Sequence, residues 1–159
     1  MIRRFGLAHW AAYLLPAALL GGAYGSQYIG GLYPCEMCWW QRYPHFAAVA
    51  IAMVAFIVGN PGYRQALVAL AAFAIATSGL IGGFHAGVEY GWWEGLTTCS
   101  TSVSGSGEDF LKSIMNAPLV RCDVAPWTLF GISLAGFNFL LSFGGAMAIL
   151  VMLWKNQRA

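Results

Sequence analysis

The chain has 159 residues, of which 59% are hydrophobic and only 9% are charged, against about 25% charged residues in an ordinary soluble domain. A chain of this composition cannot cover a water-exposed surface with polar groups, and its length is that of one domain. The formal net charge of +2 is too small and too scattered for a nucleic-acid-binding surface. We therefore expect a single integral membrane domain over residues 1–159, with no nucleic-acid partner.

Four apolar runs have about the length that a bilayer-crossing helix needs, roughly 20 residues. They cover approximately Leu7–Ile29, Tyr43–Val58, Gln65–Phe84 and Trp127–Trp154. The sequence Asn60-Pro61-Gly62 is a turn signal that makes the second and third runs a tight helical hairpin. Arg3-Arg4 before the first run also fits a secretory signal peptide, but that run is longer than the apolar core of such a peptide. We predict an all-α membrane protein, a four-transmembrane-helix bundle with two extracytoplasmic loops.

The charged residues predict how this bundle is oriented, because Lys and Arg accumulate on the cytoplasmic side of a membrane. One side of the four spans carries only basic residues, namely Arg3, Arg4, Arg64, Lys155 and Arg158. Every acidic residue lies in the two segments on the opposite side, together with the cysteines Cys35, Cys38, Cys99 and Cys122. Both termini are thus predicted to be cytoplasmic and all the cysteines extracytoplasmic.

The second outer loop, about His85 to Pro126, begins its central part with a flexible Ser- and Gly-rich stretch at residues 100–107. In the following segment, Glu108–Met115, the apolar residues fall on one helical face. This pattern predicts a short interfacial helix lying on the membrane surface. A small helix packed on the protein's own loop is the alternative.

The motif Cys35-Glu36-Met37-Cys38 in the first outer loop has three interpretations. It is a redox pair, a structural disulfide, or half of a zinc site that Cys99 and Cys122 complete. Haem attachment is excluded, since Trp39 rather than histidine follows the second cysteine. Position at a membrane surface outside the cytoplasm favours the redox pair.

Arg42 occupies an unfavourable position at the outer end of the second span. It also lies near a helix N-terminus, where the helix dipole disfavours a cation by roughly 0.3–1 kcal/mol. An anionic or electron-rich partner would explain the placement, while an arginine that snorkels into lipid headgroups is the alternative. If the helix already begins at Cys38, Cys38 and Arg42 share one face, but Pro44 fits best in a first turn and leaves that start open.

Cys99 and Cys122 on the second outer loop form either a structural disulfide or a shuttle disulfide between an outside partner and the first cysteine pair. Arg121 and Asp123 flank Cys122, and their charges oppose each other. His85, at the outer end of the third span, either hydrogen-bonds a membrane-borne ligand or simply lies at the interface.

Two further polar residues fall within the predicted spans. Asn138 in the fourth span is predicted to hydrogen-bond between helices. His45 is expected to serve as an interfacial or packing residue.

In their order along the chain, these features resemble the bacterial disulfide bond formation protein B family, DsbB. The resemblance covers nearly the whole chain and rests on four spans, the motif Cys-x-x-Cys-x-x-x-Arg, a second outer cysteine pair, and Pro126-Trp127 with Gly131 at the start of the last span. It implies a thiol oxidase of the bacterial inner membrane, a protein-disulfide:quinone oxidoreductase. Such an enzyme reoxidises a periplasmic DsbA-like dithiol oxidase of thioredoxin fold and passes the electrons to ubiquinone or menaquinone.

The resemblance also implies separate tasks for the cysteines. By position, Cys99 is attacked by the partner's thiolate and forms the mixed disulfide. Cys122 would then pair with Cys35 as an interloop disulfide, which leaves Cys38 as the thiolate facing the quinone.

The same resemblance assigns the quinone side of the site. Arg42 would stabilise the charge that develops at Cys38, and His85 resembles the family's quinone-side histidine. Gln41 stands where some members carry an acid, so no role is carried over to it.

Two alternatives to this function remain. A vitamin K epoxide reductase-like quinone reductase has a similar bundle, but that family carries Cys-x-x-Cys in a late span, whereas here it follows the first. The other alternative is a non-catalytic membrane protein with structural disulfides or a Cys-ligated metal. For the favoured function we expect no metal at the site.

Overall fold

The computed structural model describes residues 6–97, 99 and 120–158. Within these ranges the chain forms four helices and one small hairpin, which are α1 (Leu7–Tyr28), α2 (Glu36–Ile57), α3 (Pro61–Glu89), β1 (Thr128–Leu129), β2 (Ile132–Ser133) and α4 (Leu134–Arg158). The strands pair antiparallel, with Thr128 opposite Ser133. The helical class is confirmed, and the predicted interfacial helix at Glu108–Met115 lies outside the described residues.

Helix α3 is the central helix, which packs along both α2 and α4, while α1 lies against α2 and α4. The core between the helices is built mainly of small side chains, with eight buried alanines beside Val68, Ile75, Ile149 and Leu153. Small residues let helix backbones approach closely, which replaces the hydrophobic driving force that is missing inside a lipid bilayer. This packing is therefore of the kind that suits a membrane bundle.

Two of the described helices are long and apolar enough to cross a membrane, namely Pro61–Glu89 and Leu134–Lys155 within α4, with mean hydropathies of 2.0 and 1.9. Helices α1 and α2 have 22 residues each, which gives a length of about 33 Å at 1.5 Å per residue. They are less apolar, because α2 carries Gln41, Arg42 and His45 in its first turns and α1 is rich in glycine and tyrosine.

The second helix begins at Glu36, seven residues before the apolar run at Tyr43. Cys35 is its N-cap residue, whose sulfur accepts a hydrogen bond from the backbone N–H of Cys38. Pro44 lies inside the helix rather than in its first turn, an arrangement that membrane helices tolerate because neighbouring groups satisfy the freed carbonyl. Cys38 and Arg42 consequently do lie four residues apart on one helix.

The fourth helix begins at Leu134, so the expected start at Trp127 is wrong. Phe130 and Gly131 have positive φ angles of 52° and 78°, and they turn the chain through the β1–β2 hairpin before the helix begins. The apolar composition of this segment does not distinguish a strand from a helix. The third helix is longer than expected, because Asn60 caps it and Pro61 opens it, and it continues to Glu89.

Candidate active site

The first cysteine pair lies at the start of α2, where the helix geometry holds the two sulfurs together. The Sγ atoms of Cys35 and Cys38 are 3.0 Å apart, and both residues are free thiols. Cys35 is buried, whereas Cys38 is partly exposed toward a cavity in the bundle. The pair therefore has the spacing that thiol–disulfide chemistry requires, and its two members face different surroundings.

The contact between the two sulfurs separates their acidities. Both cysteines precede the apolar run that starts at Tyr43. Donating its S–H to the Cys38 sulfur raises the pKa of the Cys35 thiol, and burial adds to this effect. Accepting that hydrogen bond lowers the pKa of the Cys38 thiol. Burial and the Glu89 carboxyl oppose this effect, and the Arg42 charge adds to it. Cys38 is thus the first of the pair to become a thiolate, the nucleophilic form of cysteine.

The second pair, Cys99 and Cys122, forms a disulfide with a Cα–Cα distance of 5.3 Å. Both residues are buried, at 4% and 0% exposure. The hydroxyl of Thr97 lies 2.8 Å from the Cys99 sulfur and 3.6 Å from the Cys122 sulfur, a contact that the sequence did not reveal. The presence of this disulfide fits both a structural role and a shuttle role, the two interpretations drawn from the sequence.

The flanking charges of Cys122 are directed at each other. Arg121 Nε donates to Asp123 Oδ1 at 2.8 Å, on the surface. The guanidinium lowers the pKa of the Asp123 carboxyl. The two charges pair with each other, so neither of them acts on the sulfur of Cys122.

The two cysteine pairs meet at His85. The sulfurs of Cys35 and Cys122 and a ring nitrogen of His85 all lie within 4.8 Å of one another, and all three residues are buried. His85 Nε2 is 3.6 Å from the Cys35 sulfur and 3.2 Å from the carbonyl oxygen of Cys122. The arrangement brings the thiol of one outer loop within reach of the disulfide of the other.

Gln41 orients the His85 ring from α2. Its Nε2 donates to the backbone carbonyl of Met37 at 3.1 Å and lies 2.9 Å from His85 Nδ1. Because a carbonyl oxygen only accepts, this contact identifies the amide nitrogen of Gln41, which then donates to Nδ1. The ring proton consequently lies on Nε2, the nitrogen that faces the sulfurs. Gln41, for which the resemblance gave no role, is a positioning residue for His85.

A buried polar network continues from Gln41 across three helices. Asn138 Nδ2 donates to Gln41 Oε1 at 2.9 Å and to Ser78 Oγ at 3.1 Å. Asn138 Oδ1 accepts from Ser142 Oγ at 2.7 Å and lies 3.0 Å from His45 Nε2. The prediction that Asn138 bonds between helices is confirmed, and His45 is part of this network rather than an interfacial residue.

Arg42 is only 6% exposed, and it is bound to the end of α1. Nη1 donates to Gln27 Oε1 at 2.7 Å and Nη2 to the carbonyl oxygen of Ala23 at 3.2 Å. The guanidinium carbon also lies 4.9 Å from the ring centroid of Tyr24 and 5.0 Å from that of Trp39. A cation near a helix C-terminus and between aromatic faces is favourably placed, which offsets the cost of a positive charge in the first turns of α2.

Glu89 is a site residue that the sequence analysis missed. Its side chain is 2% exposed, and its Oε1 lies 3.8 Å from His85 Nε2. The hydroxyl of Ser133 lies near the carboxyl group. Glu89 is four residues after His85, so the helical repeat alone places both on one face, a signal that could have found it.

A cavity of about 300 Å³ lies between the helices beside this cluster. Its walls are mostly apolar side chains of α1 and α4, while Cys38, Arg42, His85 and Glu89 form its polar end. The size and lining are those of a small-molecule site with a few convergent polar groups.

These features define a class of protein, a helical membrane protein that couples two cysteine pairs beside an apolar cavity. The sequence profile of the family described as Disulfide bond formation protein DsbB matches residues 5–152. The chain belongs to this family, and it is a disulfide-forming membrane oxidoreductase.

Individual relatives are similar over most of their length. A disulfide bond formation protein B of Polaromonas sp. (strain JS666 / ATCC BAA-500) is 31% identical, over 89% of this chain and 86% of the relative. A disulfide bond formation protein B of Azoarcus sp. (strain BH72) is 30% identical, over 93% of this chain and 91% of the relative. A third, from Marinobacter nauticus, is 26% identical, over 84% of this chain and 80% of the relative. No solved structure matches the chain significantly.

Proposed function

We propose that this protein is a quinone-dependent thiol oxidase that reoxidises a periplasmic dithiol oxidase of thioredoxin fold. We further propose that residues 1–159 form one domain of four membrane spans in a bacterial inner membrane, with both termini cytoplasmic and the cysteine loops periplasmic. The observation that carries the proposal is the position of the Cys35 sulfur. It lies within reach of Cys122 on one side and 3.0 Å from Cys38, at the cavity, on the other.

In the proposed reaction, a thiolate of the reduced partner attacks Cys99, forms the mixed disulfide and releases Cys122 as a thiolate. Cys122 then attacks the sulfur of Cys35 in a Cys35–Cys38 disulfide, and Cys38 leaves as a thiolate. The second thiolate of the partner then attacks the mixed disulfide, which releases the oxidised partner and frees Cys99 as a thiolate. Cys99 attacks Cys122 in the interloop disulfide, and Cys35 leaves. This sequence regenerates the Cys99–Cys122 disulfide and leaves Cys35 and Cys38 reduced, the combination of bonds found here.

Access to Cys99 is a condition of the first step. Thiol–disulfide exchange needs an in-line approach to the attacked sulfur, and Cys99 is 4% exposed. The partner must therefore expose this sulfur when it docks. Burial of the disulfide protects it from small thiols until then.

The residues around the cavity fit a quinone head group. A bound quinone would accept two electrons and two protons. Cys38 would present the thiolate to it, and the Arg42 guanidinium would stabilise that negative charge and bind a carbonyl oxygen. The His85 ring, whose Nε2 proton faces the site, offers a second donor. The apolar walls exclude water from the reacting sulfur.

A Cys-ligated metal is the competing interpretation, and Cys35, His85 and Cys122 are close enough to hold an ion. Two contacts oppose it. Gln41 holds the ring proton on His85 Nε2, the nitrogen that would have to bind the metal, and Cys122 is engaged in a disulfide. Stoichiometric zinc in protein purified without reductant or added metal would support the alternative.

The test mixes the purified protein with a reduced thioredoxin-fold dithiol protein and a short-chain quinone, ubiquinone or menaquinone. We expect quinone absorbance to fall in proportion to partner disulfide formed, and no turnover in Cys38→Ser. Trapping in cells that carry Cys122→Ala should yield a mixed disulfide between Cys99 and the partner. Absence of quinone-dependent oxidation with either quinone class would overturn the proposal.

A further inference from the structure

Glu89 is the buried acid that the thiol–disulfide steps do not use. Its side chain is 2% exposed, and it lines the same cavity as Cys38 and Arg42. Ser133 lies near the carboxyl, and Oε2 has no hydrogen-bond partner among the described residues. A buried polar atom without a partner is costly, so this oxygen needs a partner that the described side chains do not supply.

The charge state of this carboxyl follows from its surroundings. Arg42 is the cation at the cavity, and its guanidinium nitrogens are bound to Gln27 and Ala23. Among the described residues, Arg42 forms no salt bridge with Glu89. The ionisable side chain nearest to the Glu89 carboxyl in the described salt bridges is the His85 ring. An enclosed, unpaired carboxylate is much less favourable than the neutral acid. A neutral acid has one proton to donate, and Glu89 lines the cavity.

We propose that Glu89 is a catalytic acid, whose Oε2 binds a carbonyl oxygen of the quinone and gives it one of the two protons that form the quinol. The assignment rests on the proposed function. In the step, the Cys35 thiol and the Cys38 thiolate lose two electrons and one proton and form their disulfide, and the quinone gains both electrons, that proton and a second proton from water. One proton passes through Glu89, which the proton released at Cys35 restores.

The other ionisable groups that line the cavity are poorer donors. The guanidinium of Arg42 is bound to Gln27 and Ala23, and Tyr33 is 70% exposed. The Nε2 proton of His85 lies toward the carbonyl oxygen of Cys122, and Cys38 is needed as a thiolate. The Nε2 atom of His45 is engaged with Asn138 Oδ1. Glu89 is the acid among these described groups whose chemistry suits the step.

The kinetic test compares Glu89→Gln with the wild type. Glutamine keeps the size of the side chain, but it cannot transfer a proton. Pre-reduced protein is mixed rapidly with short-chain ubiquinone, and quinone loss is followed in a single turnover. We expect the rate to fall about 100-fold, the lower end for loss of a general acid, with little change in the quinone concentration for half-maximal rate. Glu94→Gln, an exposed glutamate five residues along, is the matched control and should behave as wild type.

A second readout needs no quinone. The infrared difference between wild type and Glu89→Gln at neutral pH should contain the C=O stretch of a protonated carboxylic acid. Carboxylate bands alone would overturn the proposal, as would a wild-type rate in Glu89→Gln.

The outcomes separate the two proposals. A wild type that reduces no quinone overturns the proposed function. A wild type that does so, beside an equally fast Glu89→Gln, overturns only the role of Glu89. Exchange between Cys99 and the reduced partner serves as a test of correct folding.

If Glu89→Gln does not show this exchange, the kinetic and infrared measurements are made on Glu89→Asp instead. This variant should retain a carboxylic-acid band with a slower rate, and a wild-type rate without that band would overturn the assignment.

Discussion

Arg42 is a fixed charge rather than a flexible one. Two hydrogen bonds to α1 and two aromatic rings restrain its guanidinium. Arginine is suited to this environment, because its planar fork makes two directed bonds and its faces stack on aromatic rings. Such a charge stabilises a thiolate without reorganising when the thiolate forms.

Replacement of Arg42 by lysine tests this restraint. Lys keeps the charge but cannot bond Gln27 and Ala23 together while stacking on two rings. We expect Arg42→Lys to raise the quinone KM about 10-fold, equivalent to roughly 1.4 kcal/mol, and to spare exchange between Cys99 and the partner. Arg121→Lys, a surface arginine paired with Asp123, is the control. An effect on partner exchange alone would show that Arg42 acts elsewhere.

The acidity of Cys38 gives a pH-dependent prediction. Below its pKa the residue is a thiol and reacts slowly with iodoacetamide, and above it the thiolate reacts fast. Because Cys35 donates a hydrogen bond to it, the midpoint should lie below the ordinary pKa of cysteine, about 8.5. In a background of Cys99→Ala and Cys122→Ala, further replacement Cys35→Ala should move the midpoint of Cys38 alkylation to higher pH. An unchanged midpoint would contradict the sulfur–sulfur contact.

At the scale of the helices, close approach of α3 to its neighbours depends on glycine. A Cβ atom on Gly82 would lie 2.9 Å from the carbonyl oxygen of Ala135 and 3.0 Å from side-chain atoms of both Gln41 and Asn138. The contacts with Gln41 and Asn138 belong to the polar network that orients His85. The position therefore joins helix packing to the geometry of the site.

Replacement of Gly82 by alanine should destabilise the protein by roughly 1–3 kcal/mol, the usual cost of overpacking. It should also lower the rate of quinone reduction, because Gln41 is displaced from His85. Thermal unfolding in detergent and single-turnover kinetics measure the two effects. Gly21→Ala on α1, where a Cβ meets nothing within 4 Å, should change neither. Equal melting temperatures of the two variants would contradict the close approach at Gly82.

The helices were predictable from the sequence because long apolar runs leave a strong signal. The residues at which the helices begin were not predictable in the same way. The start of α2 depends on a capping sulfur at Cys35, and the start of α4 depends on the turn at Phe130 and Gly131, and apolarity reveals neither.

The site was predictable as far as local motifs and the family resemblance reach. The sequence placed Cys35, Cys38 and Arg42 on one motif, and the resemblance added His85 as a quinone-side residue. The partners that orient them come from other helices, such as Gln27 on α1 and Asn138 on α4. Those contacts depend on the register between packed helices, which cannot be read from the sequence alone. Glu89 is the exception, since the helical repeat links it to His85.

At the scale of the whole molecule, the chemistry is confined to one end of the bundle. The four cysteines, His85 and Glu89 lie at the end where α2 begins and α3 finishes. The opposite end carries Arg64 near the start of α3 and Lys155 near the end of α4. This separation supports an orientation with the cysteines outside the cytoplasm.

Reporter fusions test the orientation. A green fluorescent protein fused after Ala159 should fluoresce, because it folds in the cytoplasm, and alkaline phosphatase there should be inactive. Alkaline phosphatase inserted within the second outer loop should be active. A fluorescent insertion in that loop would contradict the predicted topology, whereas reporters in the α2–α3 connection should resemble those at the C-terminus.

The capping role of Cys35 has one more consequence. The sulfur that exchanges electrons is also the atom that receives the amide hydrogen of Cys38 and closes the first turn of α2. Disulfide formation turns the Cys35 sulfur toward its bonded partner and away from this amide, so every turnover alternately weakens and restores the bond that closes that turn. The amide of Cys38 should exchange with deuterium more slowly in the reduced protein than in the oxidised one. Its exchange rate would thus report the oxidation state of the site from the backbone.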